Sequence, residues 1–274
     1  MRRLARPALA FASKTAPECR HNQLRRNEQN MSDTKVAPHD AGPVVTQEVA
    51  ATCLGVKVPQ SSFLTETRIN RINAARYEGQ EIAGALHVVR EDDRVLEVGA
   101  GLGVVGAVIA TNAKPEKVLS FEANPELVPV IRALHQMNDL GDRVELRNQV
   151  LFAGKDRPEN MEFHLRNSFL GSSLLNEGGR PSRVVEIPTA DMGEVVAELQ
   201  PTVLVMDIEG GELALLEAMD LSPFRAIVIE FHPEAYEVKG MRRCKTILRE
   251  AGFQKLDEVS SRTVWTCTRE GAAP

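Results

Sequence analysis

Two groups of residues in this chain have types and spacing that suit chemistry. The first lies in "LEVGAGLGVVG", Leu96 to Gly106, where Glu97 is followed by Gly99, Gly101 and Gly103 with one residue between each. So bare a backbone lets a ligand rest directly on peptide groups, and glycine also permits the tight turn. The second lies in "MDIEGGE", with Asp207, Glu209 and Glu212, and in "EFHP", with His232. Carboxylates and an imidazole are the groups that hold or move a proton near neutral pH.

The glycine loop reads in two ways. Gly101, Gly103 and Gly106 satisfy GxGxxG, and Glu122 in "SFEANP" lies about 20 residues on, where ribose recognition requires an acid. The pattern fits NAD and S-adenosylmethionine alike. Three features favour the second. Glu97 before the first glycine would repel a pyrophosphate but not the cationic methionine end of S-adenosylmethionine. The loop follows a helical lead-in, whereas nicotinamide domains often begin with it. The tail, a helix and then paired strands, suits a seven-stranded sheet with a reversed last strand. On this reading Gly99, Ala100, Gly101 and Gly103 cradle the aminoacyl part with Glu97 beneath. Glu122 accepts from the ribose hydroxyls, with Ala123 and Asn124 beside it, and Asn148, Gln149 and Val150 offer the adenine edge. An ordinary strand end is the competing reading for the last three.

The elements that would carry these residues alternate. "RVLEVGA" is a strand and "GVVGAVIATNA" a helix; "KVLSFEAN" is a strand and "PELVPVIRALHQMNDLG" a helix closed by Gly141. "RVELRNQVL", "PTVLVMDIE" and "RAIVIEFHP" are further strands, with the helix "GELALLEAMD" before the last. "MRRCKTILREAG" is a helix, and "FQKLDEVSS" and "TVWTCTR" pair as a terminal hairpin. This predicts an α/β fold with a doubly wound, mostly parallel seven-stranded sheet of the Rossmann-like class. Ahead of it, residues 43–90 form a mainly helical lead-in, with "VVTQEVAATCLGVKVPQ" as strand pieces. Residues 1–42 are a disordered extension and 91–270 the main domain.

Composition narrows the classes. The 274 residues are 43% hydrophobic and 26% charged, ordinary for a globular protein. Lys and Arg number 33 against 38 Asp and Glu, a net charge of −5, so the basic face of a nucleic-acid binder is lacking. No apolar run reaches the roughly 20 residues of a membrane span. Cys19, Cys53, Cys244 and Cys267 are scattered without metal-ligand spacing, as reduced thiols in a cytoplasmic protein would be. The Arg-rich first thirty residues resemble a mitochondrial presequence; the favoured alternative is a start at Met31.

"VLEVGAGLG", "SFEANP", "GSSL", "VLVMDIEGGELALLEAM" and "IVIEFHP" together resemble the FkbM family of S-adenosylmethionine-dependent methyltransferases over about residues 75 to 268. The D-x-E-G-x-E element, Asp207 to Glu212, is the most specific. Glu97 and Leu102 depart from the Asp and Asn common in the family's first motif. The resemblance implies O-methylation of a hydroxyl on a small molecule or sugar. N-methylation, protein methylation, an NAD(P)-dependent oxidoreductase and a non-catalytic module are the alternatives, and the lack of a YxxxK arrangement weighs against the oxidoreductase. Asp207 and Glu209, at the carboxyl edge of the sheet, are expected to be catalytic, Asp207 also to bind the cofactor, and Glu212 to cap a helix. His232 is a second candidate base, with Glu230 expected on the other side of its strand. Tyr77 and Glu78 are expected to close over the cofactor, and Ser172 and Ser173 to meet the acceptor. Oxygen ligands at Asp207 and Glu209 suit Mg²⁺, but nothing else in the sequence requires a metal and none is assigned.

Overall fold

The computed structural model describes residues 42–166 and 182–269. The expected N-terminal extension falls almost wholly outside them, as does the "GSSL" loop with Ser172 and Ser173.

The strand pieces of the lead-in form a hairpin, β1 (Val45–Cys53) and β2 (Val56–Ser61). Its turn is Leu54–Gly55, both at positive φ (45° and 89°), the backbone a two-residue hairpin turn requires. Two helices follow, α1 (Glu66–Asn73) and α2 (Gly79–Val88). The lead-in is therefore half strand and half helix.

Next come β3 (Arg94–Val98), α3 (Val104–Asn112), β4 (Lys117–Phe121), α4 (Val128–Met137) and β5 (Val144–Arg147). "RVELRNQVL" is not one strand. It breaks after Arg147, and β6 (Val150–Phe152) joins a separate three-stranded sheet with β7 (Asn160–Leu165) and β8 (Arg183–Asp191). The chain returns through α5 (Met192–Leu199), β9 (Val203–Met206), α6 (Glu212–Ala218), β10 (Ala226–Glu230), α7 (Pro233–Glu250), β11 (Phe253–Lys255) and β12 (Val264–Arg269). The seven-stranded sheet has the order β11-β12-β10-β9-β3-β4-β5. Within it β12 opposes its neighbours, pairing antiparallel with both β10 and β11.

Both faces of this sheet are covered, which is why its central strands read as unbroken apolar runs. Alternation assigns Val95, Val205 and Val228 to the layer containing α2, α3 and α4, and Leu96, Leu204 and Ile227 to the layer containing α5, α6 and α7. Glu97 and Glu230 belong by the same alternation to the first layer. β3 lies between β4 and β9, and the chain runs outward from it in both directions. The carboxyl ends of β3 and β9 are thus the topological switch point, where open α/β sheets bind ligands.

At the opposite, amino end of the strands, Asp93 ties the sheet together. Its carboxylate accepts from Arg225 Nε at 2.8 Å, Thr202 Oγ1 at 2.6 Å and the Arg90 N–H at 2.6 Å, and pairs again with Arg225 Nη2. Burial alone would raise the Asp93 carboxyl; these bonds outweigh it and hold it below the ordinary value. Among the described residues no helix is long and apolar enough to cross a membrane. Cys53, Cys244 and Cys267 are buried and free.

Candidate active site

The four glycines of the opening loop do different things. Gly99 (φ 90°) is where β3 passes the end of β9: a Cβ there would lie 1.7 Å from the Asp207 carbonyl oxygen, so no other residue fits. Gly101 (φ 55°) turns toward open space, the nearest atoms to a Cβ being Glu78 Oε1 at 3.7 Å and Tyr77 Oη at 3.8 Å. Gly103 packs on Ile131 of α4. Gly106 makes room for Glu97, whose Oε2 would be 2.3 Å from a Cβ. Glu97 is buried, bonded by the Ser120 hydroxyl and by the Gly106 N–H in the first turn of α3. Burial pushes its carboxyl up to about 7 against those bonds. One N–H in the first turn of α3, that of Gly106, is therefore met by a carboxylate of the protein itself.

Beside Gly99 and Gly101 opens a cavity whose other walls are Glu122 to Asn124, Leu127, Gln149 to Leu151, Phe163 and Ile208. Glu122 has one oxygen on the Gly101 N–H and the other on the Asn124 N–H, both at 2.7 Å. Burial lifts its carboxyl to about 7 despite these bonds. A second, wider cleft runs from α1 and α2 to the end of β10, lined by Arg68, Arg71, Arg76, Tyr77, Glu81, Glu230, His232 and Thr263 among others. The cavity and the cleft share Glu78, Asp207 and Glu209.

His232 is the centre of this junction. Its Nδ1 is 2.7 Å from Oε1 of Glu212, which is fully buried, and its Nε2 is 3.6 Å from Asp207 Oδ1 and 3.5 Å from Glu209 Oε2. Glu212 Oε1 also accepts from the Gly210 N–H at 3.2 Å. Burial would lower the imidazole, but Glu212, Asp207 and Glu209 raise it to about 10. The acids beside it are raised too. Burial and then neighbouring carboxylates push Glu78 to about 8 and Glu230 to about 9, and burial raises Asp207 more than His232 lowers it.

A sequence model of the methyltransferase FkbM domain matches residues 97–255, more than half of the chain. The chain belongs to the FkbM methyltransferase family. FkbM proteins of this kind are S-adenosylmethionine-dependent methyltransferases. No curated protein matches the sequence. Similar solved structures include a ribosomal protein L11 methylase from Lactobacillus delbrueckii subsp. bulgaricus, at 13% identity and TM-score 0.41, covering 70% of this chain and 77% of that one. A precorrin-6y C5,15-methyltransferase from Geobacter metallireducens GS-15 is 12% identical with TM-score 0.40, covering 70% and 87%. TYW2 of P. horikoshii, crystallised with MeSAdo, is 13% identical with TM-score 0.40, covering 78% and 66%.

On this FkbM chain the structure distributes the expected site residues unevenly. Gly99, Gly101, Glu122, Ala123, Asn124, Gln149 and Val150 line the cavity, and Glu78, Asp207 and Glu209 line both spaces. Tyr77 and His232 line the cleft. Four expected cofactor residues do not line the cavity. Glu97 is turned under α3, Ala100 is buried with its N–H on the Phe121 carbonyl, and Gly103 packs on Ile131. The Asn148 amide donates to the carbonyls of Glu122 and Ala123 at 2.7 and 3.1 Å, holding their turn. Glu230 and His232 both face the cleft, contrary to expectation; they are two residues apart and share a face, while Phe231 between them is buried in the other layer. Glu212, expected as a cap, bonds the Gly210 N–H but also orients His232. Glu81, in the first turn of α2, joins the cleft without a sequence signal, since nothing in its local sequence points it toward β10.

Proposed function

We propose that this methyltransferase moves a methyl group from S-adenosylmethionine to a hydroxyl of a small polar molecule or sugar. The observation carrying this reading is the junction: one cavity and one cleft whose common wall is Glu78, Asp207 and Glu209. A donor in the first and an acceptor in the second would meet there.

The residues of the cavity fit the methyl donor. The Glu122 carboxylate, with four lone-pair sites and backbone bonds from Gly101, Ala123 and Asn124, can still accept from a ribose hydroxyl. Leu127, Val150, Leu151 and Phe163 supply apolar surface for an adenine ring, and Gly101 leaves the loop open where a side chain would intrude. The carboxyl groups of Glu78, Asp207 and Glu209 on the shared wall offer hydrogen-bond partners to a cationic end. When bound, the donor supplies an electrophilic methyl carbon whose bond to sulfur breaks as the acceptor oxygen attacks, the electron pair staying on sulfur. The protein's part is to align the acceptor and take its proton. Asp207, on the wall shared by the cavity and the cleft, is assigned as the proton acceptor, with Glu209 beside it. His232, fixed by Glu212, turns its Nε2 toward the two acids. The polar cleft, with Arg68, Arg71 and Thr263, suits an acceptor rich in oxygen. Residues 43–90 and 91–270 act as lead-in and main domain, and cytoplasmic placement accords with the free, buried thiols.

The test is methyl transfer from labelled S-adenosylmethionine to a panel of hydroxylated acceptors, with calorimetric binding of the methyl donor and of NAD⁺ measured separately. Glu122→Gln is expected to weaken donor binding about 10- to 100-fold, the loss of charge-assisted hydrogen bonds. Binding of NAD⁺ in place of the methyl donor would refute the reading.

A further inference from the structure

We infer that Asp207, Glu209 and His232 form a binding site for a first-row divalent cation at the head of the acceptor cleft. One donor atom from each lies within 4.8 Å of the others. Nε2 is 3.6 Å from Asp207 and 3.5 Å from Glu209. These separations are too long for good hydrogen bonds. They are close to the spacing of two ligands on one ion: bonds of about 2.1 Å in tetrahedral arrangement set donors about 3.4 Å apart.

Two further observations take this beyond a cluster of acids. The His232 side chain is only 9% exposed, and its Nδ1 is held by a carboxylate that is wholly buried, so that Nε2 is aimed at the two acids. A histidine whose outer nitrogen is tied to a carboxylate is the usual support of a metal-binding imidazole, since the tie fixes both ring orientation and tautomer. In addition, Asp207 Oδ1, the atom facing Nε2, is buried with no hydrogen bond. A buried carboxylate oxygen left so is costly unless something else satisfies it.

Backbone geometry brings the ligands to one point. Asp207 ends β9, and the left-handed turn at Glu209 (φ 51°) and Gly210 (φ 107°) folds the second acid back toward the first. His232 ends the adjacent strand β10. Three protein ligands leave positions open, and these face the cleft, where the Glu81 and Glu230 carboxyls also stand near a bound cation. One imidazole with two carboxylates selects Mn²⁺ or Zn²⁺ over Mg²⁺ and Ca²⁺, which take oxygen alone. The open positions would orient oxygens of the acceptor, which rests on the methyltransferase reading; the cation site itself does not.

The experiment is titration of the chelator-treated full chain with Mn²⁺ and, separately, Zn²⁺, followed by calorimetry and, for Mn²⁺, by loss of the free-ion paramagnetic resonance signal. One saturable site per chain is expected. His232→Ala should abolish it, and Glu212→Gln should weaken it about 10- to 100-fold, the usual effect of losing a ligand's supporting bond. Glu209→Gln, on a partly exposed turn, provides a ligand deletion that leaves the buried His232–Glu212 pair intact. Each variant is checked for binding of S-adenosylmethionine. Absence of saturable binding to the parent chain, or binding that His232→Ala and Glu209→Gln leave unchanged, would overturn the site. If the methyl donor binds and the cations do not, the cation site fails alone. If the cations bind and the methyl donor does not, the methyltransferase reading fails and the site stands.

Discussion

The two ends of the central sheet hold carboxylates in opposite states. At the amino end Asp93 is surrounded by donors, from Arg225, Thr202 and the Arg90 backbone, and its carboxyl is lowered. At the carboxyl end Glu78, Asp207 and Glu230 crowd one another, and theirs are raised. Charge that is matched stabilises strand ends; charge that is left partly unmatched is available to a ligand. The same parallel strands are thus fastened at one end and open to chemistry at the other.

The sharpest way to break this contrast is to remove one acid at each end. Asp93→Ala leaves the buried Arg225 guanidinium without its partner and should cost about 3–5 kcal/mol in denaturant unfolding. Asp207→Asn should abolish methyl transfer while stability holds or rises, because it relieves repulsion. Equal loss of stability from both would end the comparison. A smaller effect is expected within the loop. Gly106→Ala would force a methyl against the Glu97 carboxylate and should cost about 1–3 kcal/mol. Glu97→Ala in the same chain removes the obstruction, so the pair should be non-additive by about 1 kcal/mol or more in a double-mutant cycle.

The smallest effect is in pH. Glu78 is raised from 4.5 to about 8, so the stability it contributes is complete below about 4.5 and is lost as pH rises through 8. Glu78→Gln should therefore gain on the parent in Tm between pH 5 and pH 9. Asp93 is lowered from 3.8, so its contribution is present above that value and is lost as pH falls below it. Asp93→Asn should be penalised at neutral pH and converge with the parent in acid. Parallel slopes for the two variants would show that the ends are not distinct.

Much of this is legible in the sequence, and for identifiable reasons. Strands β3, β4, β9 and β10 are buried on both faces, so their apolar runs stand out, and the residues at their carboxyl ends follow as candidates for a site. Strand β5 reads too long because "RVELRNQVL" keeps its apolar spacing across Asn148, while the change of sheet at that point is a tertiary event. Strands β7 and β8 escape notice because their faces mix charged and apolar residues. In the site, the pattern D-x-E-G-x-E locates the acids but not their directions. That Glu212 turns inward to His232, 20 residues away on the next strand connection, depends on packing that no local spacing encodes. Likewise, nothing in "GQEIAGALHV" marks Glu81 for the cleft.

Glu97 shows how a binding loop can be held from beneath by a residue that does not line the cavity. Its carboxylate fills the mouth of α3 from beneath, and Gly106 leaves the room for it to do so. A neutral replacement of Glu97, in a strand interior, would leave the Ser120 hydroxyl and the Gly106 N–H in need of a new partner. The cofactor loop is therefore held at Glu97 from within the core, by contacts that the visible motif does not display.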